Sequence, residues 1–400
     1  MRICMLAYAF YESDMRILRY AKSLVQRGDA VDVIALRRDG AATFELLDGV
    51  KVYRVQARER NEKGAMDYAL RIARFMAVSA AVLAAKHLKE PYDVVHVHSV
   101  PDVLVFSALI PKLLRAKVIL DIHDILPEFF ASKFNVSKNS LKYRAMLVAE
   151  RASAWFSNHV IIANDLWRPR LIARSVSESQ CTSIINYPDD QLFQPRRWSP
   201  RNSQFCITYP GTLNAHQGVD IAIKAVGILQ AEMPDLKFHI YGEGPDKPAL
   251  MALSEQLGLA GAVSFHDFLP CDEIPQMMAL SDAAVVPKKA SSAFGNEAMS
   301  TKIMEFMSLG VPVVASRTKV DTFYHDDSRV LFFNSEDPHD LAEALRRLRR
   351  DQGLGEELSR NGLVYMQNNG WAQKQEIYLG LVDSLVPRSE FASNHASATP

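Results

Sequence analysis

Two glutamates, Glu297 and Glu305, stand eight positions apart at a predicted loop-to-helix turn. A helix is predicted from about Thr301 to Leu309, because Gly310 supplies a C-terminal stop and Pro312 opens an apolar strand. Glu297 would lie in the loop and Glu305 one turn inside the helix, whose N-terminus suits a phosphate. The two carboxylates could hold the ribose and the sugar of a nucleotide sugar. Spacing alone, however, favours two solvated surface glutamates.

Glycine turns follow two predicted strands in the second half of the chain, at Gly211 and at Gly242 to Gly244. A glycine there lets the backbone approach a phosphate closely, although turn geometry explains most glycines after strands. The loop after the first strand, Tyr8 to Asp14, holds no glycine, and no Gly-rich loop ends in Lys and Ser or Thr. These patterns argue against a standard NAD enzyme and against Walker-type nucleotide binding.

Histidines lie within or just after two predicted strands. His123, in the segment Asp121 to Asp124, could polarise a sugar hydroxyl or assist proton movement, but a structural histidine is the commoner explanation. His96 and His98 lie on one face of a strand with a spacing that suits a metal. No third ligand is evident, so we interpret both as core histidines and predict no metal site.

The bulk composition is that of an ordinary globular protein. A chain of 400 residues with 48% hydrophobic residues can form two or three domains. A formal net charge of zero argues against a protein that binds nucleic acid through bulk charge. Four scattered cysteines fit a reducing cytoplasm. The apolar N-terminal run is too short for a signal peptide, and no run of about 20 uncharged apolar residues predicts a transmembrane helix.

Short apolar strands alternate with helical patterns along the chain, which predicts parallel βαβ units and α/β domains with doubly wound sheets. The segment Asn186 to Ser203 is rich in Pro, Asp, Arg and Ser and is interpreted as a linker. We therefore predict domains over residues 1–187 and 188–370, facing each other across a cleft, and a disordered tail over 388–400. The Glu297–Glu305 turn would line that cleft, because ligands bind at the carboxyl ends of strands.

Two segments combine basic and apolar residues, 128–151 and 65–88. Basic side chains beside exposed apolar ones favour an anionic membrane surface. Two ordinary core-facing helices explain the segments at least as well.

Four regions together resemble the GT-B fold glycosyltransferases of the retaining family 4. The most specific is Glu297 to Ser316, which is similar to the E-x7-E element of that family with its Gly-x-Pro-Val-Val continuation. The others are Gly211 to Asp220; Tyr241 to Pro245 with His266 to Pro270 and Ser281 to Pro287; and Asn186 to Asp189 with Phe193 and Pro195. The resemblance extends to about Val386 and is closest to the branch that builds cell-surface polysaccharides.

The resemblance implies a metal-independent, retaining transfer of a hexose-type sugar by two Rossmann-like domains, with the final helix (371–387) returning to the first. Glu305 would hold the ribose of the donor and Glu297 the hydroxyls of its sugar. The backbone amides of Ala298, Met299 and Ser300 would receive sugar or phosphate.

Further residues carry roles by the same resemblance. Gly211 and Thr212 would lie near the diphosphate of the donor. His123, beside Asp124, would face the donor sugar. Phe268 would border the base of the nucleotide, and the donor would be a UDP- or GDP-linked sugar. No other cofactor is implied.

Two basic residues of the usual donor loop are absent, since Thr212 and Gln217 stand in their places. Lys302, or Lys288 and Lys289, could supply the charge. The Gly-Gly loop of the first domain is also replaced, by an Asp-x-Arg pattern at positions 14 and 16, so acceptor contacts there are open. The acceptor would be a glycan or lipid-linked molecule, and the enzyme would be cytoplasmic at the inner face of the membrane. The alternatives are a GT-B sugar-nucleotide epimerase and a non-catalytic sugar-nucleotide-binding protein.

Overall fold

The chain folds into two α/β units, each built on its own sheet. The computed structural model describes residues 1–58, 65–134, 137, 139–199, 204–270 and 272–386. The first unit comprises the described residues of 1–126, 145–184 and 375–386, and the second those of 127–144 and 185–374. Residues 127–144, assigned to the first domain from the sequence, therefore group with the second unit. The predicted tail, 388–400, lies outside the described residues.

The first unit has an eight-stranded sheet with the order β3-β4-β2-β1-β5-β6-β7-β8. Its strands are β1 (Arg2–Ala7), β2 (Ala30–Arg37), β3 (Phe44–Leu47), β4 (Val50–Ala57), β5 (Val94–His98), β6 (Lys117–Ile122), β7 (His159–Ile162) and β8 (Cys181–Ser183). All neighbours pair in parallel except β3 and β4, an antiparallel hairpin that the sequence analysis missed. Its signal was Asp48-Gly49, where both residues have positive φ, as a tight hairpin turn requires.

Helices alternate with these strands along the first half of the chain. They are α1 (Met15–Gln26), α2 (Ala65–Lys89), α3 (Leu109–Leu113), α4 (Leu126–Phe134), α5 (Leu141–Phe156) and α6 (Arg168–Arg174). Residues 127–144, in α4 and the start of α5, belong to the second unit. A 3-10 segment, Asp102–Ala108, leads into α3.

Helix α2 buries a narrow stripe at every fourth position, formed by Phe75, Ser79, Leu83 and His87. Its stretch Asp67–Lys89 is the one helix in the described part of the chain that is long and apolar enough to cross a membrane, and 17% of its most apolar window is buried. This finding rests on length and composition alone, and two arginines fall within the apolar stretch.

The second unit has a six-stranded, fully parallel sheet with the order β11-β10-β9-β12-β13-β14. Its strands are β9 (Phe205–Pro210), β10 (Leu236–Tyr241), β11 (Val263–His266), β12 (Ala283–Val286), β13 (Val313–Ser316) and β14 (Val330–Phe333). Its helices are α7 (Val219–Leu229), α8 (Lys247–Gln256), α9 (Ile274–Met278), α10 (Ala293–Glu297), α11 (Thr301–Ser308), α12 (Lys319–Tyr324), α13 (Pro338–Arg350) and α14 (Gln352–Met366), and α15 (Trp371–Leu385) follows.

The strands of the second unit are buried on both faces. Val285 and Val314 belong to one apolar cluster, whereas Ala284 and Val313 belong to another. Helices therefore cover both sides of the sheet, which confirms the predicted doubly wound α/β architecture. Strand order reverses between β9 and β12, so the loops after these two strands stand at the topological switch point, where open sheets bind ligands.

Three cysteines, Cys4, Cys181 and Cys206, are free and buried, and Cys271 lies outside the described residues. In the predicted basic-apolar segment 128–151, residues 135, 136 and 138 and the side chains of 132–134 also lie outside them.

Candidate active-site residues

Helix α11 begins at Thr301, as the sequence predicts, and ends one residue earlier than predicted. Glu305 lies one turn inside it and is half-buried. Ser300 is the N-cap residue, but its side chain does not cap the helix, and its buried Oγ has no hydrogen-bond partner among the described residues. A buried hydroxyl therefore remains available to a ligand beside the first N–H groups of the helix.

Glu297 does not lie in a loop, as the sequence suggested, but ends the short helix α10. Ser292 caps that helix by accepting a hydrogen bond from the Gly295 N–H at 3.3 Å. The side chain of Glu297 is 19% exposed, and its carboxylate lies 3.1 Å from the ammonium of Lys319. Lys319 lies 22 positions away, at the start of α12, so no local pattern in the sequence predicts this pair.

The segment Ala298–Ser300 joins α10 to α11 and is held by a buried lysine. Lys288 is 3% exposed, donates to the carbonyl oxygen of Ala298 at 2.9 Å and pairs with Asp321 at 2.9 Å. Met299 packs against the apolar cluster around α11. Because a buried ammonium is costly unless it is paired, these contacts hold Lys288 in one place and fix the loop.

The side chain of Lys302 fills the space beside Gly211. A Cβ on Gly211 would lie 2.5 Å from Cε and 2.9 Å from Nζ of Lys302, and the φ of Gly211 is 141°. The ammonium stands 5.2 Å from the centre of the Tyr209 ring, whose hydroxyl donates to the carbonyl oxygen of Thr212 at 3.0 Å. Burial lowers the pKa of Lys302 to about 8, although the charge of Glu305 opposes the shift.

The other two lysines considered from the sequence are already engaged. Lys288 holds the Ala298–Ser300 loop, and Lys289 pairs with Asp220 at 2.9 Å. Within the described part of the chain, Lys302 makes no ion pair with a carboxylate. Of the three, Lys302 is therefore the cation left to meet an anionic ligand.

The glycine turns after β9 and β10 are locked together. Gly211 donates from its N–H to the carbonyl oxygen of Tyr241 at 2.8 Å, and a Cβ on Gly242 would lie 1.9 Å from the carbonyl oxygen of Gly211. A Cβ on Gly244 would meet the backbone of Leu213. Gly242 and Gly244 are thus explained by backbone packing. In the loop after β11, the ring of Phe268 is 61% exposed.

His123 follows β6 in the first unit and directs its Nε2 into a buried charged cluster. Nε2 lies 3.3 Å from Oδ2 of Asp121 and 3.3 Å from Nδ1 of His98. Arg16, from α1, donates to both carboxylate oxygens of Asp121 at 2.7 Å. The side chain of His123 is 20% exposed, whereas Arg16, His98 and Asp121 are buried. His123 is therefore the member of this group that reaches the surface.

The charges of this cluster favour a cationic His123. Burial alone would lower the pKa of His123, but the charge of Asp121 and the hydrogen bond to it outweigh burial and raise that pKa. Burial would raise the pKa of Asp121, yet Arg16 holds it well below its usual range. Burial raises the pKa of the neighbouring Asp124 and lowers that of His98.

The structure corrects one expectation about the residues near His123 and shows what Asp14 and Arg16 contact. Ligand atoms of His96, His98 and Asp121 lie within 4.8 Å of one another, so a third ligand does stand near the histidine pair. Because Arg16 already neutralises the carboxylate of Asp121, the group is explained as a polar core. Asp14 caps α1 by accepting from the N–H groups of Arg16 and Ile17. Asp14 therefore caps a helix and Arg16 binds Asp121, so both residues of the Asp-x-Arg pattern make contacts within the first unit.

Family models match both units of the chain. Residues 14–186 match the glycosyl transferase 4-like domain, and residues 190–364 match glycosyl transferases group 1. The chain is 25% identical over 411 aligned residues to a D-inositol 3-phosphate glycosyltransferase of Acidothermus cellulolyticus, which covers 96% of this chain and 88% of that one. It is 26% identical to the putative colanic acid biosynthesis glycosyltransferase WcaL of Escherichia coli over 38% of each chain.

Solved structures share the fold at low sequence identity. Sucrose-phosphate synthase from Thermosynechococcus elongatus is 17% identical with a TM-score of 0.75, covering 96% of this chain and 100% of that one. Anabaena Alr3699/HepE in complex with UDP-glucose is 19% identical with a TM-score of 0.72, covering 95% and 99%. The lipopolysaccharide biosynthesis glycosyltransferase WaaG is 15% identical with a TM-score of 0.69, covering 96% and 99%.

Proposed function

Because the chain belongs to the GT-B glycosyltransferases of the family 4 type, we propose that it transfers a hexose-type sugar, with retention of configuration, from a nucleoside diphosphate sugar to a glycan or lipid-linked acceptor. The observation that carries the proposal is the start of α11, where Glu297, Glu305 and the ammonium of Lys302 accompany a buried hydroxyl without a partner among the described residues. The likeness to WcaL supports a role in cell-surface polysaccharide synthesis.

In this proposal the second unit holds the donor. Glu305 accepts hydrogen bonds from the ribose, and Glu297 accepts them from hydroxyls of the sugar. The diphosphate lies beside Gly211 and Thr212, where Lys302 balances its charge. Structures of Anabaena Alr3699/HepE with UDP and UDP-glucose support a UDP-linked donor. A GDP-linked donor is supported by a relative named as GDP-mannose-dependent, which is 32% identical over 26% of this chain.

The proposed reaction breaks the bond between the anomeric carbon and the diphosphate and forms a bond from that carbon to the acceptor oxygen on the same face. The leaving diphosphate takes the proton of the acceptor hydroxyl. Lys302 and the N–H groups at the start of α11 stabilise the charge that develops on the diphosphate, so the proposed mechanism requires no metal. A cationic His123 would stabilise negative charge near the donor sugar.

The test combines donor binding with product analysis. A panel of UDP- and GDP-sugars is screened by thermal shift, and each stabilising donor is then incubated with glycan and lipid-linked acceptors while NMR follows the anomeric configuration of the product. A retained linkage supports the proposal. An epimerised nucleotide sugar formed without acceptor would assign an epimerase, and donor binding without transfer to any acceptor would assign a binding protein.

We also propose that the first unit docks on an anionic membrane surface from the cytoplasmic side. Large apolar side chains are exposed on neighbouring helices: Leu109, Ile110, Leu113 and Leu114 at α3, and Val148 and Trp155 on α5. Lys112, on α3, donates to the main-chain oxygen of Phe156 at the end of α5, so the two helices are adjacent. Exposed basic residues, Arg115 and Arg151, accompany them. We call these residues the α3–α5 face. Such a face combines apolar burial with attraction to anionic lipids.

A further inference from the structure

The segment that joins β12 to α10 leads directly to the proposed ligand of the donor sugar. It comprises residues 287–292, which lie in no helix or strand, and Glu297 stands at the far end of α10. Because a helix of five residues does not hold its shape by itself, α10 is positioned by the contacts of the residues around it. The place of the Glu297 carboxylate therefore depends on what fixes residues 287–292.

Two consecutive residues of the loop after β14, Ser335 and Glu336, fix that segment. The hydroxyl of Ser335 donates to the carbonyl oxygen of Lys288 at 2.9 Å and accepts from the N–H of Ala290 at 2.8 Å. The carboxylate of Glu336 accepts from the N–H of Ser291 at 3.0 Å and from its hydroxyl at 2.7 Å. We call these four hydrogen bonds the β14 clamp.

The loop that provides the clamp is itself fixed to α13. The N–H of Asn334 donates to the carboxylate of Asp340 at 2.6 Å, and Asp337 caps α13 by accepting from the N–H groups of His339 at 2.9 Å and Asp340 at 3.1 Å. In the sheet, β13 lies between β12 and β14, so the clamp connects the loops of two strands that are not neighbours. The start of α13 thus restrains the segment before α10.

Glu336 has a backbone conformation that favours glycine. Its φ of 67° lies in the left-handed region, which glycine adopts readily and a glutamate only with strain. Such strain persists where the surrounding contacts impose it, and it is concentrated at functional sites. Glycine would relieve the strain but has no carboxylate to hold Ser291. The side chain of Glu336, and not its backbone conformation, therefore accounts for a glutamate at this position.

Helix α10 lies directly against the clamped segment. A Cβ on Gly295 would lie 2.3 Å from the carbonyl oxygen of Lys289, so no space separates the helix from this part of the chain. On its other side, the side-chain oxygen of Asn296 accepts from the N–H of Lys319 at 2.7 Å. A displacement of residues 288–291 would therefore move α10 and, with it, Glu297.

We propose that Ser335 and Glu336 are positioning residues for recognition of the donor sugar; this assignment rests on the role proposed above for Glu297. The β14 clamp holds residues 288–291, and through them α10, so that the Glu297 carboxylate meets the hydroxyls of the sugar. Its placement matters because a hydrogen bond weakens steeply when its geometry is lost. Ser335 and Glu336 act through Glu297 and are not catalytic residues.

The clamp should not govern the nucleotide part of the donor. Glu305, the proposed ligand of the ribose, stands on α11, whose Ile303 and Phe306 are fully buried in an apolar cluster. This packing positions α11 without the clamp. The affinity for a bare nucleoside diphosphate should therefore be independent of the clamp, whereas the affinity for the nucleotide sugar should depend on it.

The test compares nucleotide sugars with their own nucleotides. Calorimetry measures the Kd of UDP-glucose, UDP, GDP-mannose and GDP for the full chain and for the variants Glu336→Gly and Ser335→Ala. Each variant should weaken binding of the accepted nucleotide sugar about three- to tenfold, the contribution of roughly one hydrogen bond, and leave the Kd of its nucleotide unchanged. Glu336→Gly should keep the wild-type Tm, because relief of the strained φ offsets the lost hydrogen bonds.

Two further variants are the controls. Asp48→Gly relieves the same kind of strain, at a φ of 47° in the turn between β3 and β4, and should leave every Kd unchanged. Ser335→Thr keeps the hydroxyl and should retain most of the affinity for the nucleotide sugar. Hydrogen exchange of residues 288–297, measured without ligand, should be faster in Glu336→Gly and Ser335→Ala than in the wild type.

Failure of the clamp and failure of the proposed function give different results. An unchanged Kd for the nucleotide sugar in both Glu336→Gly and Ser335→Ala would overturn the assignment, as would an equal loss of affinity for the nucleotide and the nucleotide sugar. A wild type that binds none of the four ligands would contradict the proposed donor site and remove the assignment with it. Hydrogen exchange would then still show, without any donor, whether the clamp holds α10.

Discussion

Glu297, whose carboxylate pairs with Lys319, offers the most direct test of the proposed donor site. In Glu297→Ala, the donor sugar loses its charged acceptor while Lys319, 56% exposed, remains solvated. We expect kcat/KM to fall about 10- to 100-fold, since a hydrogen bond to a charged group contributes roughly 1.5–3 kcal/mol. Transfer kinetics measure this, with an unchanged Tm as the sign of normal folding. Glu255→Ala, exposed on α8, should keep full activity; wild-type turnover by Glu297→Ala would refute the role.

Lys302 gives a prediction about the missing basic residues. Lys302→Ala should raise the KM for the donor about tenfold or more, because the ammonium proposed to balance the charge of the diphosphate is removed. Adding Gln217→Lys to that variant restores a basic residue at a position where the resemblance to the family expects one. This change should recover part of the affinity for the donor. In the wild type, the donor KM should rise with pH above about 8, as Lys302 loses its proton. An unchanged donor KM in Lys302→Ala would exclude it as the diphosphate cation.

Asp121 controls the charge of His123. Because the pKa of His123 is raised by Asp121, its cationic form persists to higher pH than that of an ordinary histidine and is lost as pH rises through the raised pKa. In Asp121→Asn, this support disappears while Arg16 remains, so His123 should titrate at lower pH. NMR of the His123 ring measures the shift independently of activity. The falling limb of kcat/KM against pH should move in the same direction, and an unmoved His123 titration would contradict the assignment.

Local features of the site can be predicted from the sequence, whereas its ion pairs between distant segments cannot. Glu305 was placed one turn inside its helix correctly, since capping and stop signals are local. Arg16 and Asp121 are 105 positions apart, and the bidentate pair between them depends on how α1 and β6 meet. The pair between Lys319 and Glu297 also joins residues that lie far apart in the chain. Ion pairs between distant segments leave no periodic trace in a single sequence, so their roles could not be predicted.

At the scale of elements, strongly patterned strands were placed well and short or atypical elements were not. β5, Val94–His98, is such a strand, because a buried parallel strand is a compact apolar run flanked by turns. Helix α10 has five residues, too few for a helical period to be recognised. It lies close against the neighbouring loop, since a Cβ on Gly295 would lie 2.3 Å from the carbonyl oxygen of Lys289.

The α3–α5 face carries the prediction at this scale. The triple variant Leu113→Ser/Val148→Ser/Trp155→Ser removes apolar side chains that are 70%, 63% and 84% exposed. Affinity for vesicles containing an anionic lipid should fall at least about tenfold, because burying such a side chain contributes roughly 1.5–3 kcal/mol. Co-sedimentation measures it. Val364→Ser, exposed in the second unit, is the control. Equal vesicle binding by the triple variant would remove this face from membrane docking, and its Tm should stay unchanged.

At the scale of the whole molecule, donor binding should be visible as stability. A ligand at 100 times its Kd stabilises the folded state by about 2.7 kcal/mol, so the correct UDP- or GDP-sugar should raise the Tm of the full chain. Glu305→Ala should lose most of this shift for every donor, because the ribose is common to all of them. Glu297→Ala should lose only the part of the Tm rise that depends on the sugar. A nucleotide sugar should therefore raise the Tm of this variant by no more than UDP or GDP alone. A full shift in Glu305→Ala would contradict the ribose assignment.

The architecture itself was predictable because alternating strands and helices restrict an α/β chain to few topologies. The alternation of strands and helices predicts two doubly wound sheets. It does not predict that residues 127–144 group with the second unit. That grouping depends on contacts such as the one between Phe129 and Phe294, whose ring centres are 4.9 Å apart. Aromatic pairs of this kind are specified by three-dimensional packing and not by sequence rhythm.

The contact between Lys302 and Gly211 constrains how this chain can change. Any side chain at position 211 would collide with the aliphatic part of Lys302, and the φ of 141° would also strain it. The end of the lysine side chain can move aside, but the backbone strain at position 211 remains for every residue other than glycine. Substitution of Lys302 therefore does not free position 211. Directed evolution of donor preference should change position 302 readily while glycine is retained at 211.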